Sequence, residues 1–480
     1  MYQTVLMGSN IALKLYQRQD KIAGQALLLV KSWEDRLTVN RSARGGRVSE
    51  IAAVNAAAGH RPVRVTPEVF ALLQQARRVS LYRGSCFNFA IGPIVKAWNI
   101  GFAQANVPPP TKIAALLPLC DPRAVILDSA DCSVFLPQCG MALDLGAIAK
   151  GFIADCVKNF LQKSGVKTAL INLGGNIHSL GAPKTADKAD EAGARQQNWL
   201  VGLQKPFGGR HDLLGVIHMA NKSVVTSGIY ERYFIGGGPQ EPGAGRAYAA
   251  ALAAALPAEA GPGRIKAEKA AKEAAATARK PGCNSSKAAA LVAGEPPAGA
   301  AAKTIITRAE NAPPALPKYD AGLERMIAAG QAASEAPQAA PPMAAAPGRP
   351  PPAGEQQPDS GKTAFYHHIF DPRTGCPLHN DLLSVTVISD KSVDGEIGTS
   401  LLYGFGLSKA LDFCRSGQAL DSLLYAIKGS GSAGEPEAAL SGAEAIFVTK
   451  DRRIIIPQAR SFRFELRDNS YQLAEGVAAA

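Results

Sequence analysis

Glu396 and Ser400 lie four residues apart in Val393-Asp-Gly-Glu-Ile-Gly-Thr-Ser400. That segment reads as a helix start, so the two side chains share one face. A carboxylate and a hydroxyl so placed suit a hard, oxygen-preferring cation such as Mg²⁺, although a solvated helix face uses the same residues. A second cluster, Asp144-Leu-Gly-Ala-Ile-Ala-Lys150-Gly151, turns from a short strand into a helix. Gly146 permits close backbone approach, the free amides of a helix start suit a phosphate, and Lys150, one turn in, reaches the same anion. An ordinary strand–helix turn with a solvated lysine accounts for the same residues. Asn172-Leu-Gly-Gly-Asn176 does not match GxGxxG and no helix follows it, so it is no dinucleotide fingerprint. The third cluster is Tyr366-His-His-Ile-Phe-Asp-Pro-Arg-Thr-Gly375. His367, His368, Cys376 and His379 match no standard zinc spacing, and the Asp-Pro-Arg-Thr-Gly run reads as a tight turn.

The elements around these clusters follow from periodicity and punctuation. Thr66-Pro67-Glu68 predicts a helix start, with a capping hydroxyl, Pro in the first turn and an acid near the positive end. That helix runs through Phe70, Leu73, Ala76 and Val79 toward Gly84. Ile148, Cys156, Val157, Phe160 and Leu161 form a second apolar helix face ending at Gly165. Strands are predicted at Thr168–Leu173 and Ile177–Leu180, at Gly215–Ala220 and Ser223–Thr226 as a hairpin about Asn221-Lys222, and at Leu383–Ile388, which alternates. Helices and strands are interspersed, which points to a mixed α and β class.

Lys and Arg outnumber Asp and Glu, 52 to 40, for a net charge of +12. No basic run or basic helix stripe with interleaved aromatics occurs, so nucleic acid is not the expected partner; the charge better serves an anionic cofactor or an acidic partner. No apolar stretch reaches the roughly 18 residues of a spanning helix. The eight cysteines are scattered without a CxxC pair and read as reduced thiols. Residues 236–362 hold 18 of the 33 prolines together with runs of Ala, a composition expected to stay disordered.

In order along the chain, these clusters resemble the FAD:protein FMN transferase family, the ApbE-like flavin transferases. The matching text is Met7-Gly8, Phe87–Trp98 (FNFAIGPIVKAW), Leu143–Asp155 (LDLGAIAKGFIAD), Ile171–Ile177 (INLGGNI), Thr226–Phe234 (TSGIYERYF), Tyr366–Pro377 (YHHIFDPRTGCP) and Val385–Gly406. The resemblance spans residues 1–235 and 363–460 and implies a single α+β domain, 1–235 with 363–480, interrupted by the 236–362 insertion looping from a hairpin. It implies transfer of FMN from FAD to a Ser or Thr hydroxyl of an acceptor protein, with release of AMP and a need for Mg²⁺, or Mn²⁺ in its place. By the same resemblance His368 is the general base, while His367 falls on a variable position. The Ala147 carbonyl, Glu396 and Ser400 are the metal ligands, and Lys150 contacts the flavin nucleotide. Met7, Thr38, Val39 and Asn88 line the FAD site. Glu396 and Ser400 stand where the family has Asp and Thr, Asn88 where it has Asp, and Asn176 where it has the Asp of Gly-Gly-Asp. An FAD pyrophosphatase and a non-catalytic FAD-binding protein are the alternatives. The acceptor implied is a flavin-dependent reductase or a redox-complex subunit. The first motif lies almost at residue 1, which makes the expected compartment cytoplasmic.

Overall fold

Nine strands form the main sheet of a computed structural model of the chain. Their spatial order is Tyr2–Leu6, Ser9–Leu15, Ala169–Leu173, Asn176–Leu180, Ser223–Gly228, Leu382–Ser389, Glu444–Thr449, Arg453–Ile455 and Gln472–Leu473. Neighbours are antiparallel except the last pair, which is parallel. The structure describes residues 1–40, 48–82, 84–183, 198–209, 211–236, 364–415 and 444–474. The class is α+β, as the resemblance implies. The insertion inferred at 236–362 lies outside the described residues except for Gly236, as does Cys283. The strands flanking it, Tyr233–Gly236 and Ala364–His367, pair antiparallel, so the two stretches of chain meet in one ladder.

One helix, Ser392–Phe405, sits between two apolar cores. Val393, Ile397 and Leu401 face the core built with helices Asp20–Leu37, Pro67–Leu81 and Ala149–Lys163, while Leu402 and Tyr403 enter the other. Strand Leu382–Ser389 beneath it is buried at all eight positions. The alternation of Leu383–Ile388 is therefore not an inside–outside pattern, because both faces of this central strand are covered.

Three local expectations are corrected. Leu213–Met219 and Ser223–Gly228 do not pair as a hairpin; the first joins Trp199–Gln204 and Arg463–Leu466 in a separate three-stranded sheet. Asn221, at φ +55°, accepts the Gly181 N–H at 2.7 Å on its Oδ1, and the Lys222 carbonyl accepts the Ser179 N–H at 2.9 Å. The turn is thus pinned to the end of Asn176–Leu180, and the chain crosses between sheets. Thr66 precedes helix Pro67–Leu81 but makes no side-chain cap bond; its hydroxyl is held by Glu50 instead. The strand expected before Lys150 is a single bridge between Ile91 and Ala142, and the helix begins at Ala149, so Lys150 is its second residue. The seven described cysteines are free, and no helix among the described residues is long and apolar enough to cross a membrane.

Candidate active site

Two tight turns and one strand exit meet at one end of the main sheet. The Met7-Gly8 turn closes the first hairpin with φ of +53° and +65°, the left-handed pair that a two-residue loop requires. Beside it, Gly174-Gly175 closes the hairpin of Ala169–Leu173 and Asn176–Leu180, and Gly174 donates its N–H to the Asn10 carbonyl at 3.2 Å. A side chain on Gly174 would meet Ser9 at 2.5 Å, so only glycine fits. Strand Ser223–Gly228 runs antiparallel to Asn176–Leu180 and delivers Glu231 and Arg232 past this same end.

Lys150 closes the arrangement from the helix side, its Nζ 3.5 Å from the Gly174 carbonyl. The next residue, Gly151, is where helices Ala149–Lys163 and Ser392–Phe405 cross. A Cβ there would lie 2.5 Å from the Ser392 carbonyl oxygen and 2.7 Å from Glu396 Cγ, so the missing side chain admits the Glu396 carboxylate to the helix start. Glu396 is only 6% exposed, and its Oε1 accepts from Asn176 Nδ2 at 2.9 Å. Burial raises its pKa, while Lys150, the Asn176 amide and the Gly151 N–H pull the other way. Asn176 is buried too, and its Oδ1 has no hydrogen-bond partner among the described residues. Ser400 follows one turn after Glu396 and is half-buried; Ala147 is exposed in the turn that opens the Lys150 helix. Carboxylate, hydroxyl and main-chain carbonyl are all hard oxygen donors. By donor type they suit Mg²⁺ or Mn²⁺, and the orphaned Asn176 oxygen, on the side chain bonded to Glu396, is a further hard donor. No group of three or more His, Cys, Asp or Glu gathers among the described residues, so the histidines and Cys376 build no zinc set.

His368 enters from the hairpin. Its main-chain N–H and its Nδ1 both donate to the Arg232 carbonyl, at 3.2 and 3.1 Å. A carbonyl only accepts, so the proton sits on Nδ1, and the Nε2 lone pair has no partner among the described residues. Burial first, then the Arg232 and Lys150 charges, push this imidazole down to about 4, so it is neutral at physiological pH. Glu231, next to Arg232, is shifted upward by burial against the Lys150 charge. His367 is different: Nε2 donates to the Leu378 carbonyl at 2.9 Å and Nδ1 accepts the Ile369 N–H at 3.3 Å. With both ring nitrogens occupied it is a structural residue.

The remaining expected contacts fall into two groups. Met7 donates its N–H to Glu34 Oε1 at 2.8 Å, and Thr38 donates its own to the Glu34 carbonyl at 2.9 Å. Glu34 thereby ties the Met7 turn to the end of the first helix, where Val39 packs on the core. Asn88 spends its side chain on the backbone: Nδ2 donates to the Cys120 carbonyl at 2.7 Å and Oδ1 accepts the Ala90 N–H at 2.8 Å. Sequence reasoning missed Arg232, whose contribution comes through a main-chain carbonyl that carries no residue signature. It also missed Gly151, although a glycine directly after the lysine was a visible sign of close approach.

A family model described as "ApbE family" matches residues 7–252 and 355–424. The chain belongs to the ApbE family. An FAD:protein FMN transferase of Klebsiella pneumoniae (strain 342) is 34% identical over 477 residues, covering 99% of this chain and 98% of that relative. The Treponema pallidum (strain Nichols) protein of the same name is 39% identical over 240 residues, 48% of this chain and 64% of its own. The crystal structure of the ApbE protein of Thermotoga maritima superposes with a TM-score of 0.53 at 16% identity, over 94% of both chains. Flavin transferase ApbE from Vibrio cholerae gives 0.51 at 15% identity, covering 98% of this chain and 96% of that one. At such identities the two structures speak for the ApbE fold alone.

Proposed function

We propose that this chain transfers FMN from FAD to a Ser or Thr hydroxyl of an acceptor protein, releasing AMP. The observation that carries this reading is the imidazole of His368, held neutral, its Nε2 without a partner among the described residues, at the sheet end where Lys150 and Glu396 converge. The acceptor hydroxyl oxygen forms a bond to the FMN phosphorus as the diphosphate P–O bond breaks. The hydroxyl proton passes to His368 Nε2, and the electron pair of the broken bond leaves on AMP. A hydroxyl is a weak nucleophile near neutral pH, so a positioned base contributes roughly 10²- to 10⁴-fold.

Lys150 offers a positive charge to the diphosphate, reinforced by the amides of the helix start. Ala147, Glu396 and Ser400 would hold Mg²⁺, with Mn²⁺ as the alternative; the ion supplies charge neutralisation for the diphosphate. The Met7 turn and the Thr38–Val39 segment, both anchored on Glu34, form the wall assigned to FAD. Asn88 acts there by fixing its loop to Cys120. A flavin-dependent reductase or redox-complex subunit is the acceptor class that puts a covalent flavin to use, and the cytoplasm is the proposed compartment.

The test is incubation with FAD and Mg²⁺, with and without a Ser/Thr-containing acceptor, beside His368→Ala. AMP release coupled to covalent flavin on the acceptor, and lost in the variant, is the expected result. AMP released equally without acceptor would make the chain an FAD pyrophosphatase. FAD bound without any AMP would make it a flavin-binding protein.

A further inference from the structure

Asp155, four residues after Gly151 on the same helix, belongs to the matched motif text but touches neither a proposed metal ligand nor the base. Its carboxylate instead reaches the neighbouring helix. Oδ1 accepts the Ser392 N–H at 2.9 Å and Oδ2 the Val393 N–H at 3.0 Å. Helix Ser392–Phe405 has no side-chain cap of its own, since Lys391 occupies that position. Its first amides are therefore satisfied from another element, and a carboxylate at a helix N-terminus also meets the positive end of the dipole.

The anchor is wider than one residue. Ser392 Oγ lies 2.9 Å from His178 Nδ1 and 2.8 Å from Ser223 Oγ, and all three residues are at most 1% exposed. His178 Nδ1 is in turn 3.8 Å from Asp155 Oδ1. Burial drives His178 down to about 3, so the ring is neutral and bridges the serine as a dipole rather than as a charge. Lys158, from the same helix as Asp155, donates to the Asp390 carbonyl just ahead of Ser392 at 3.0 Å. Two strands of the sheet and one helix thus clamp the first turn of Ser392–Phe405. Glu396 is one turn further on, with its Cγ against Gly151.

We infer that Asp155 is a positioning residue for the metal ligands: by capping Ser392–Phe405 from the adjacent helix it sets the axial and rotational register that places Glu396 and Ser400. Gly151 and Asp155 are four apart on one face, so one helix both receives Glu396 and fixes the turn before it. Supporting groups that orient metal ligands typically change metal affinity 10- to 100-fold when removed. The inference rests on reading Glu396 and Ser400 as metal ligands.

The experiment measures Mn²⁺ affinity by electron paramagnetic resonance on the full chain without FAD, together with thermal midpoint and FAD affinity without metal. Asp155→Asn puts an amide NH₂ against backbone donors and should raise the Mn²⁺ Kd at least about tenfold. Activity at saturating Mn²⁺ should largely return, shifting the metal requirement more than kcat. Ser392→Ala, which spares the Asp155 bonds, should raise Kd a few-fold and serves if Asp155→Asn does not fold. Glu444→Gln is the stability control, because Glu444 receives the Arg460 and Ser461 N–H groups away from the site. It should lower the midpoint without moving the Kd. Glu396→Gln separates the two levels: if it leaves Mn²⁺ binding intact, the metal-ligand reading falls and this inference with it. If Glu396→Gln weakens binding while Asp155→Asn and Ser392→Ala lower only the midpoint, the positioning role alone is overturned.

Discussion

At the helix crossing, Glu396 is placed by buried polar bonds and by the absence of a side chain at Gly151, whereas at the hairpin His368 is placed by aromatic packing and a single carbonyl. The hairpin is wedged between rings on both faces. Tyr366 stacks on Phe234 at 5.2 Å and leans on Trp98 at 5.3 Å, while Tyr233 and Phe365 pack on Phe207 at 5.6 and 5.7 Å. Trp98 is itself locked by its indole N–H on the Gly375 carbonyl at 2.8 Å. Rings give broad contact without directional demand, so this side can absorb small shifts. Directional bonds among buried polar groups have no such slack, because a lost partner leaves a desolvated atom. The difference suits the tasks assigned to each: a metal ligand set needs fixed oxygens, and a base needs mainly the right tautomer facing the substrate.

The largest effect is expected on the hairpin side. His368→Ala should lower flavin transfer roughly 10²- to 10⁴-fold while FAD affinity, followed by fluorescence quenching, changes little. An equal loss of FAD binding would show that the histidine holds the nucleotide rather than the proton. Gly151→Ala tests the opposite side. Its methyl group meets the Ser392 main-chain carbonyl as well as Glu396 Cγ, and the backbone cannot turn aside, so the helices must separate, at about 1–3 kcal/mol in chemical denaturation. Displacing Glu396 by about 1 Å should cut activity on the order of 10²-fold. Wild-type stability with the alanine in place would break the contrast between rigid and forgiving halves.

A pH series separates chemistry from stability. His368 sits at about 4, beside the Arg232 and Lys150 charges, so at saturating metal the acidic limb that this base contributes should fall near pH 4 rather than 6.5. Folding behaves otherwise. His178 and His367 are both pushed down to about 3 and His368 to about 4, so below pH 6.5 the unfolded chain binds protons that the folded chain refuses. Stability should therefore drop as pH falls from about 6.5. Asp155, raised to about 6 by burial, takes its proton earlier in the folded state and offsets part of that loss. Glu231, Glu396 and Asp144 are raised by burial as well and act in the same direction as Asp155. The histidines therefore dominate only near their own unfolded value, and thermal midpoints should decline as pH falls from about 7 to 6. The smallest effect belongs to Tyr366→Ala, which removes two ring contacts worth about 0.5–1.5 kcal/mol each beyond buried area. It should lower the midpoint yet leave Mn²⁺ affinity unchanged.

Local sequence was sufficient for much of this. Pro67, Gly165, the Gly174-Gly175 turn and the Glu396–Ser400 spacing each announce an element or a face through rules that act within a few residues, and the elements formed there. The motif order was enough to name the family and to single out Lys150 and His368. Longer-range outcomes were not legible. Asn221-Lys222 looks like a hairpin turn, yet bonds to Gly181 and Ser179 carry the chain from one sheet to the other. Leu383–Ile388 alternates in text and is buried on both faces, because a helix and a second sheet cover it. The proton on His368 Nδ1 is set by the carbonyl of a residue 136 positions away, and the first turn of the Glu396 helix is capped from 237 positions away. Backbone groups carry no identity in the sequence, so bonds to them, and the tautomer and register they impose, exist only once the chain has folded.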